Sequence, residues 1–134
     1  MDRRAGYTRR TYKLSVSLFR YVPLSLHGGI ETIAAPLIMV GPLLLGLDQA
    51  AVVAGILLGA LLLGLSLSLF SERRVVPLTT HAEFDYVLAL AAVVLGVGIG
   101  LGTGDVAATV FLVGVGVAQT ALTASTRFSV PRGA

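Results

Sequence analysis

Apolar residues run almost unbroken through four stretches of the chain, roughly 30–47, 50–70, 84–103 and 106–125. A helix needs about 20 such residues, and at least about 17, to cross the hydrocarbon core of a bilayer. All four stretches meet that length. Backbone groups in lipid must be hydrogen-bonded within the segment, so runs of this kind predict helices. Strands of a membrane barrel would alternate in polarity over about 10 residues, and the sequence has no such alternation. Two of the connections are very short, one at Asp48 and one at Thr103-Gly104-Asp105. Each aspartate stands just before an apolar run, where its carboxylate can accept the free N–H groups of a helix start and face its positive end. Asp48 and Asp105 are therefore predicted to be helix caps. Pro36 and Pro42 lie inside the first run and predict a kink, because each removes a backbone donor and crowds the preceding turn.

The placement of charge orients the four spans. The basic residues are Arg3, Arg4, Arg9, Arg10, Lys13, Arg20, Arg73, Arg74, Arg127 and Arg132, and all ten fall on one side if the chain crosses four times. The positive-inside rule makes that side cytoplasmic and predicts a multi-pass cell-membrane protein with both termini inside. Phe19, Tyr21, Phe70, Phe84, Tyr86 and Phe128 fall near the same interface. Residues 1–26 form a basic segment. Within TRRTYKLSVSLFRYVP, Arg10, Lys13, Ser17 and Arg20 share one side of a helix, with Leu14, Leu18 and Val22 on another. This predicts a basic amphipathic helix at the headgroup level, ended by Pro23, with Arg9, Arg10, Lys13 and Arg20 touching anionic lipids. The stretch Thr8–Lys13 also resembles a twin-arginine export signal. Arg20 breaks the apolar region of such a signal, however, and a second span follows where a cleavage site would stand. Residues 127–134 form a short basic tail.

Composition agrees with this class. The chain has 134 residues, 55% hydrophobic and 13% charged, too little polar surface for a soluble domain of its size. It has no cysteine, which excludes disulfides, thiol catalysis and cysteine-based metal sites. No nucleic-acid partner and no cofactor is implied.

The chain reads as duplicated. His27 and Glu31 have counterparts in His81 and Asp85, offset by 54, and Gly46 matches Gly100 at the same offset. Past the short turn the offset becomes 57, matching Asp48 to Asp105, Ala50-Ala51 to Ala107-Ala108 and Gly59 to Gly116. Two hairpins result, 27–70 and 81–126. Each contains an even number of spans, so the copies point the same way, related by an axis along the membrane normal. The predicted fold is an all-α membrane protein, four transmembrane helices in two tandem parallel hairpins, preceded by the interfacial helix. The unit AAPLIMVGPLLLGLDQAAVVAGILLGALLL resembles the SPW repeat of small prokaryotic membrane proteins across about residues 27–126. Gly41-Pro42-Leu43 stands in place of the Ser-Pro-Trp turn, and Leu45-Gly46-Leu47 in place of Leu-Gly-Phe. The second copy has Leu95-Gly96-Val97 and Ile99-Gly100-Leu101 without a proline. The resemblance implies a helical architecture and no defined activity.

Ionisable groups inside spans are costly and are candidates for function. The candidates are His27, Glu31, His81 and Asp85. A spacing of four puts each His and carboxylate on one helix face, and two hairpins packed about a common axis would bring all four together. Three roles fit. The groups could be structural, hydrated near the cytoplasmic ends of their helices or paired with Arg20, Arg73 or Arg74. They could form a proton or cation site. They could also hold a transition metal, for which two His and two carboxylates are a plausible donor set, although no His-Glu-x-x-His signature is present. Glu83 reads as a solvated neighbour, and Glu31 as the deepest of the group. No motif for an enzyme is found, and Ser66, Ser68, Thr109, Thr120 and Thr123 are isolated hydroxyls. Two functions follow as expectations. One is a structural or interaction protein, as a homo-oligomer or an accessory subunit of a larger complex. The alternative is a small proton or cation transporter or channel.

The stretch LGVGIGLGTGD carries glycine at alternate positions. That spacing never gives the Gly-x-Gly-x-x-Gly of a dinucleotide loop, and no pore helix precedes it as in a potassium filter. On a helix, Gly96, Gly100 and Gly104 form one small-residue ladder, and Gly98 and Gly102 another. Gly55 and Gly59 offer the same spacing on the second span, and Gly114 stands on the fourth. The expectation is that these small residues let the helices pack closely, and that a leucine at Gly100 would disrupt the bundle.

Overall fold

The computed structural model describes residues 20–73 and 76–129. The predicted interfacial helix, with Arg9, Arg10 and Lys13, lies outside the described residues, as do Arg3, Arg4, Arg74 and Arg132. Four helices follow in order: α1 (Leu24–Leu44), α2 (Gln49–Phe70), α3 (Leu78–Thr103) and α4 (Val106–Ser125). All four are long and apolar enough to cross a membrane. Their outward surfaces carry large apolar side chains at positions such as Leu37, Leu61, Leu90 and Val110, each at least 60% exposed. Such a surface suits lipid as its solvent and not water.

Helices α1 and α3 begin six residues before the apolar runs, at Leu24 and Leu78. The physical reason is that both start directly after a proline in extended conformation, Pro23 and Pro77. A proline loses nothing at a helix start, where its missing N–H has no partner to lose. Its carbonyl accepts the first helical bond: His27 N–H donates to Pro23 at 3.0 Å, and His81 N–H to Pro77 at 2.9 Å. Each histidine is thus fixed in the first helical turn by its own backbone.

The helices pair most closely within hairpins, α1 with α2 and α3 with α4, and more loosely between them, α2 with α3 and α1 with α4. Lipid tails are as apolar as leucine, so packing must come from close approach. Small residues supply it. A methyl added at Gly116 would stand 2.5 Å from the carbonyl oxygen of Ala89, and one at Gly59 would stand 2.6 Å from that of Ala35. Gly55 lies against the Ile38 carbonyl and Pro42, and Gly96 against Leu112.

The alternating glycines divide differently from the expectation. Gly98 and Gly102 meet nothing within 4 Å, so the second ladder packs none of the described helices, and Gly114 likewise meets nothing. Gly104 is not a packing residue either. It takes the left-handed conformation, φ 75°, that ends α3, and its N–H donates to the Gly100 carbonyl. A methyl at Gly100 would crowd the Thr109 side chain and come within 3.6 Å of the Asp105 carbonyl oxygen, whereas at Gly59 and Gly116 it would run into a backbone carbonyl oxygen, which makes those two the tightest backbone seams.

At one end of the bundle the two aspartates do more than cap. Asp48 Oδ1 accepts from Ala50 N–H at 2.8 Å, and Asp105 Oδ1 accepts from Ala108 N–H at 2.9 Å. Asp105 Oδ2 also accepts from the Asp48 N–H at 2.8 Å, tying the two short turns together. At the other end, here called the basic end, Val22 and Thr126 form a parallel bridge that joins the chain before α1 to the chain after α4.

Two tests follow. Gly116→Ala is expected to lower stability by about 1–3 kcal/mol through overpacking, whereas Gly102→Ala should be neutral or stabilising by up to about 1 kcal/mol. Unfolding midpoints in detergent micelles would separate them, and equal effects would refute this account of the seam. The second concerns pH. The N–H of Asp48, followed by that of Ala108, holds the Asp105 carboxyl below its ordinary value of 3.8. Its contribution is therefore complete above that value and is lost as pH falls below it. Asp105→Asn should remove this part of the acid-side loss of stability, read from midpoints between about pH 6 and pH 3.

Candidate cation site

His27 and Glu31 stand one turn apart on α1, and His81 and Asp85 stand one turn apart on α3. All four have no exposed surface. The helices α1 and α3 do not themselves pack backbone to backbone among the described residues, so the four side chains meet across the space between them. His27 Nε2 lies 3.1 Å from Glu31 Oε1 and 3.1 Å from Asp85 Oδ2. His81 Nε2 lies 3.4 Å from Glu31 Oε2 and 3.5 Å from Asp85 Oδ2. One donor atom from each residue can be chosen so that all lie within 4.8 Å of one another.

Depth differs from the expectation of hydrated groups near the helix ends. Because α1 and α3 start early, the carboxylates lie seven residues inside their helices, or about 10 Å, and the quartet is dry. Of the arginines expected as partners, Arg20 and Arg73 form no ion pair with the quartet, and Arg74 lies outside the described residues. Among the described residues, Glu31 and Asp85 form ion pairs only with the two histidines.

Three further residues complete the surroundings, and the sequence reading assigned none of them to the site. Gln119 on α4 donates from Nε2 to Glu31 Oε1 at 2.5 Å. Thr126, just past α4, gives its hydroxyl proton to the Leu122 carbonyl at 2.7 Å, so its oxygen accepts from His27 Nδ1 at 2.8 Å. Phe128 covers the quartet from the basic end, its ring centroid 5.2 Å from that of His27 and 6.2 Å from that of His81. Beside the quartet, the Thr32 hydroxyl reaches the Gly28 carbonyl and Ser66, linking α1 to α2.

No protein-family model, curated protein or solved structure matches this chain. The site must therefore be judged on its own chemistry.

That chemistry is incomplete. Among the described residues, Glu31 Oε2, Asp85 Oδ1, both ring nitrogens of His81 and the Thr123 hydroxyl are buried without a hydrogen-bond partner. Each such group ordinarily costs about 1–3 kcal/mol, and clustering them in one dry site compounds the cost. With Nδ1 of His27 engaged as a donor, its Nε2 faces two carboxylate oxygens at once. A proton or a cation has to occupy the middle of the quartet, on a ring, on a carboxylate or between them. Toward the aspartate end the interior closes. A void of about 20 Å³ lined by Ile38, Leu58, Leu62, Leu88, Ala89, Ala92, Val115 and Gln119 lies beside the site, and Gln119 alone lends it a polar side chain.

Removing one member should leave the others buried and uncompensated. Glu31→Ala is expected to destabilise by roughly 3–5 kcal/mol. Replacing all four with leucine should come close to neutral or be stabilising, as for other buried ion clusters. Chemical unfolding in micelles would measure both, and a quadruple variant as unstable as the single one would show that the quartet is needed for folding.

Proposed function

We propose that the protein is a small integral membrane bundle whose distinctive part is a cation site at the cytoplasmic end of the quartet-bearing helices. The observation that carries this is the convergence of two histidines and two carboxylates, none exposed, around unpartnered polar atoms. A cluster kept for fold stability alone would be expected to satisfy its own hydrogen bonds. The orientation rests on the one-sided placement of the ten basic residues in the sequence. Both termini are then cytoplasmic, with Arg20 and the preceding basic residues among anionic headgroups.

The duplicated architecture belongs to the same proposal. Buried residues on α3, His81, Asp85, Ala89, Ala92 and Gly96, fall 54 positions after buried residues on α1. Those on α4, Ala108, Leu112, Gly116, Gln119 and Thr123, fall 57 positions after buried residues on α2. The seams match in detail: Gly59 meets Ala35 and Gly116 meets Ala89, while the pair Pro42 and Gly55 becomes Gly96 and Leu112, with large and small exchanged. This supports two parallel copies of one hairpin, as the likeness to SPW-repeat proteins implies, and that likeness adds architecture without chemistry.

A second reading, a structural or interaction role without transport, is favoured by the apolar outer half. Between the quartet and the aspartate end the described helices carry almost no polar side chain facing the interior, with Thr109 the main exception. The two readings combine as a site that binds a cation and does not pass it through one protomer. The test uses the full chain in two formats. In micelles, the unfolding midpoint is measured across protons and monovalent and divalent cations, for wild type, Glu31→Gln and Asp85→Asn. In liposomes, pH-sensitive and metal-sensitive dyes report flux. The proposal expects a cation-dependent midpoint that the variants lose, and no flux. A midpoint indifferent to every cation would refute the site, and flux abolished by the variants would replace binding with transport.

A further inference from the structure

We propose that the quartet is a tetrahedral site for a divalent transition-metal ion of the zinc class, an inference that rests on the cation-site reading above and names its ligand. Four donors around zinc, with bonds of about 2.0–2.1 Å, define a tetrahedron whose edges are about 3.3–3.4 Å. With Glu31 Oε2 and Asp85 Oδ2 as the oxygen donors, the distances from His27 Nε2 to Asp85 (3.1 Å) and from His81 Nε2 to Glu31 and Asp85 (3.4 and 3.5 Å) lie within a few tenths of that edge, and one donor atom from each of the four residues can be chosen so that all lie within 4.8 Å of one another. Glu31 presents one oxygen to each ring, and Asp85 Oδ2 faces both.

The donor set selects among cations. Calcium takes 6–8 oxygen ligands and magnesium demands an octahedron of oxygens, whereas imidazole suits the later first-row metals. Charge selects too. Two neutral imidazoles, two carboxylates and a divalent ion sum to zero, the one total a site with no exposed surface tolerates at low cost. An ion at the centre also engages Glu31 Oε2 and His81 Nε2, two of the atoms that have no partner.

The surroundings have the form of an outer ligand shell. A metal-bound histidine ordinarily donates its other ring N–H to an oxygen, which fixes the tautomer. His27 does so to Thr126 at 2.8 Å, so an ion that replaces the proton between its Nε2 and Asp85 Oδ2, 3.1 Å apart, would meet a lone pair aimed into the quartet. Gln119 holds Glu31 Oε1 in place in the same way. The protein fills all four positions and Phe128 covers them, so no position is left for a reactive water. Such an ion holds rather than reacts. Two donors come from each hairpin, and the ion clamps the hairpins together.

The experiment takes the full chain in detergent, stripped of metal by a chelator, and titrates it with Co²⁺ and then Zn²⁺. One equivalent of Co²⁺ should bind with the intense visible bands of tetrahedral coordination, and Zn²⁺ should displace it. Asp85→Asn and His81→Asn should lose those bands. Gln119→Ala and Thr126→Ala should keep the bands and weaken Zn²⁺ by about 10–100-fold. Glu83→Gln, at an exposed neighbour, should change nothing. If the ligand variants fail to fold, the wild-type spectrum and the two outer-shell variants decide alone. Octahedral Co²⁺, or binding unaffected by the outer-shell variants, overturns the metal assignment. A protein stabilised only by protons or alkali ions overturns it while sparing the cation reading, and one indifferent to all cations overturns both.

Discussion

Two carboxylates sit about two turns inside helices long enough to cross a bilayer, and the basic end of the molecule is arranged around that fact. A carboxylate in such surroundings must be neutralised within the chain. A histidine one turn earlier on the same helix answers part of the need, but each pair alone leaves its outer face unmet. The need is met only when α1 and α3 bring their pairs together, so the quartet joins two hairpins whose glycine seams lie within each hairpin rather than between them. At the opposite end, Asp105 reaches the Asp48 N–H and joins the two turns. Between these polar ties the hairpins meet loosely. Apolar grooves run along both sides, one of about 310 Å³ between α1 and α4 and one of about 930 Å³ between α2 and α3. With no hydrophobic force to close such grooves in lipid, the end ties set how the hairpins sit.

What could be read from the sequence follows from what each signal measures. The apolar runs gave α2 and α4 almost to the residue, because Asp48 and Asp105 mark their starts chemically. They missed the first turns of α1 and α3, because those turns hold Ser25, His27, Thr79, Thr80 and His81, which lower hydrophobicity without breaking a helix. Pro23 and Pro77, which do mark the starts, are themselves 54 apart. The quartet was legible as a set, since a spacing of four and a repeated offset predict proximity. Its burial was not, because that depends on Thr126 and Phe128, past the end of α4, folding over it. Strict glycine alternation marks two faces of α3 and cannot say which one has a neighbour. The structure gives one face to α4 and leaves Gly98 and Gly102 facing outward.

The partners that the sequence did not reveal are those that break the proposed duplication. At the offset of 57, Gln119 answers to Leu62 and Thr126 to Leu69. One copy keeps leucine at both positions and the other has amide and hydroxyl. A search for symmetric features passes over such residues, yet they make the strongest contacts to Glu31 and His27. Both contacts cross between hairpins, from the end of the second to the start of the first.

That direction bears on why the two hairpins differ. Two identical first hairpins would bring together two copies of His27 and Glu31 with leucine where Gln119 and Thr126 now stand. The carboxylate would then lose its amide donor and the histidine its hydroxyl acceptor, in surroundings where water does not replace them. Two identical second hairpins would repeat the environment of Asp85 and His81, adding the amide and hydroxyl but exchanging the longer Glu31 for a second aspartate. Only the mixed pair places a long carboxylate that can span both rings beneath an amide that fixes one of its oxygens. The same asymmetry leaves His81 with no hydrogen bond to either ring nitrogen. Two members of the quartet, His27 and Glu31, are oriented by residues outside it, whereas Asp85 is hydrogen-bonded only to His27 Nε2 and His81 is held mainly by its helix. A site with two fixed donors and two that can adjust is suited to closing around an ion after the two hairpins have met.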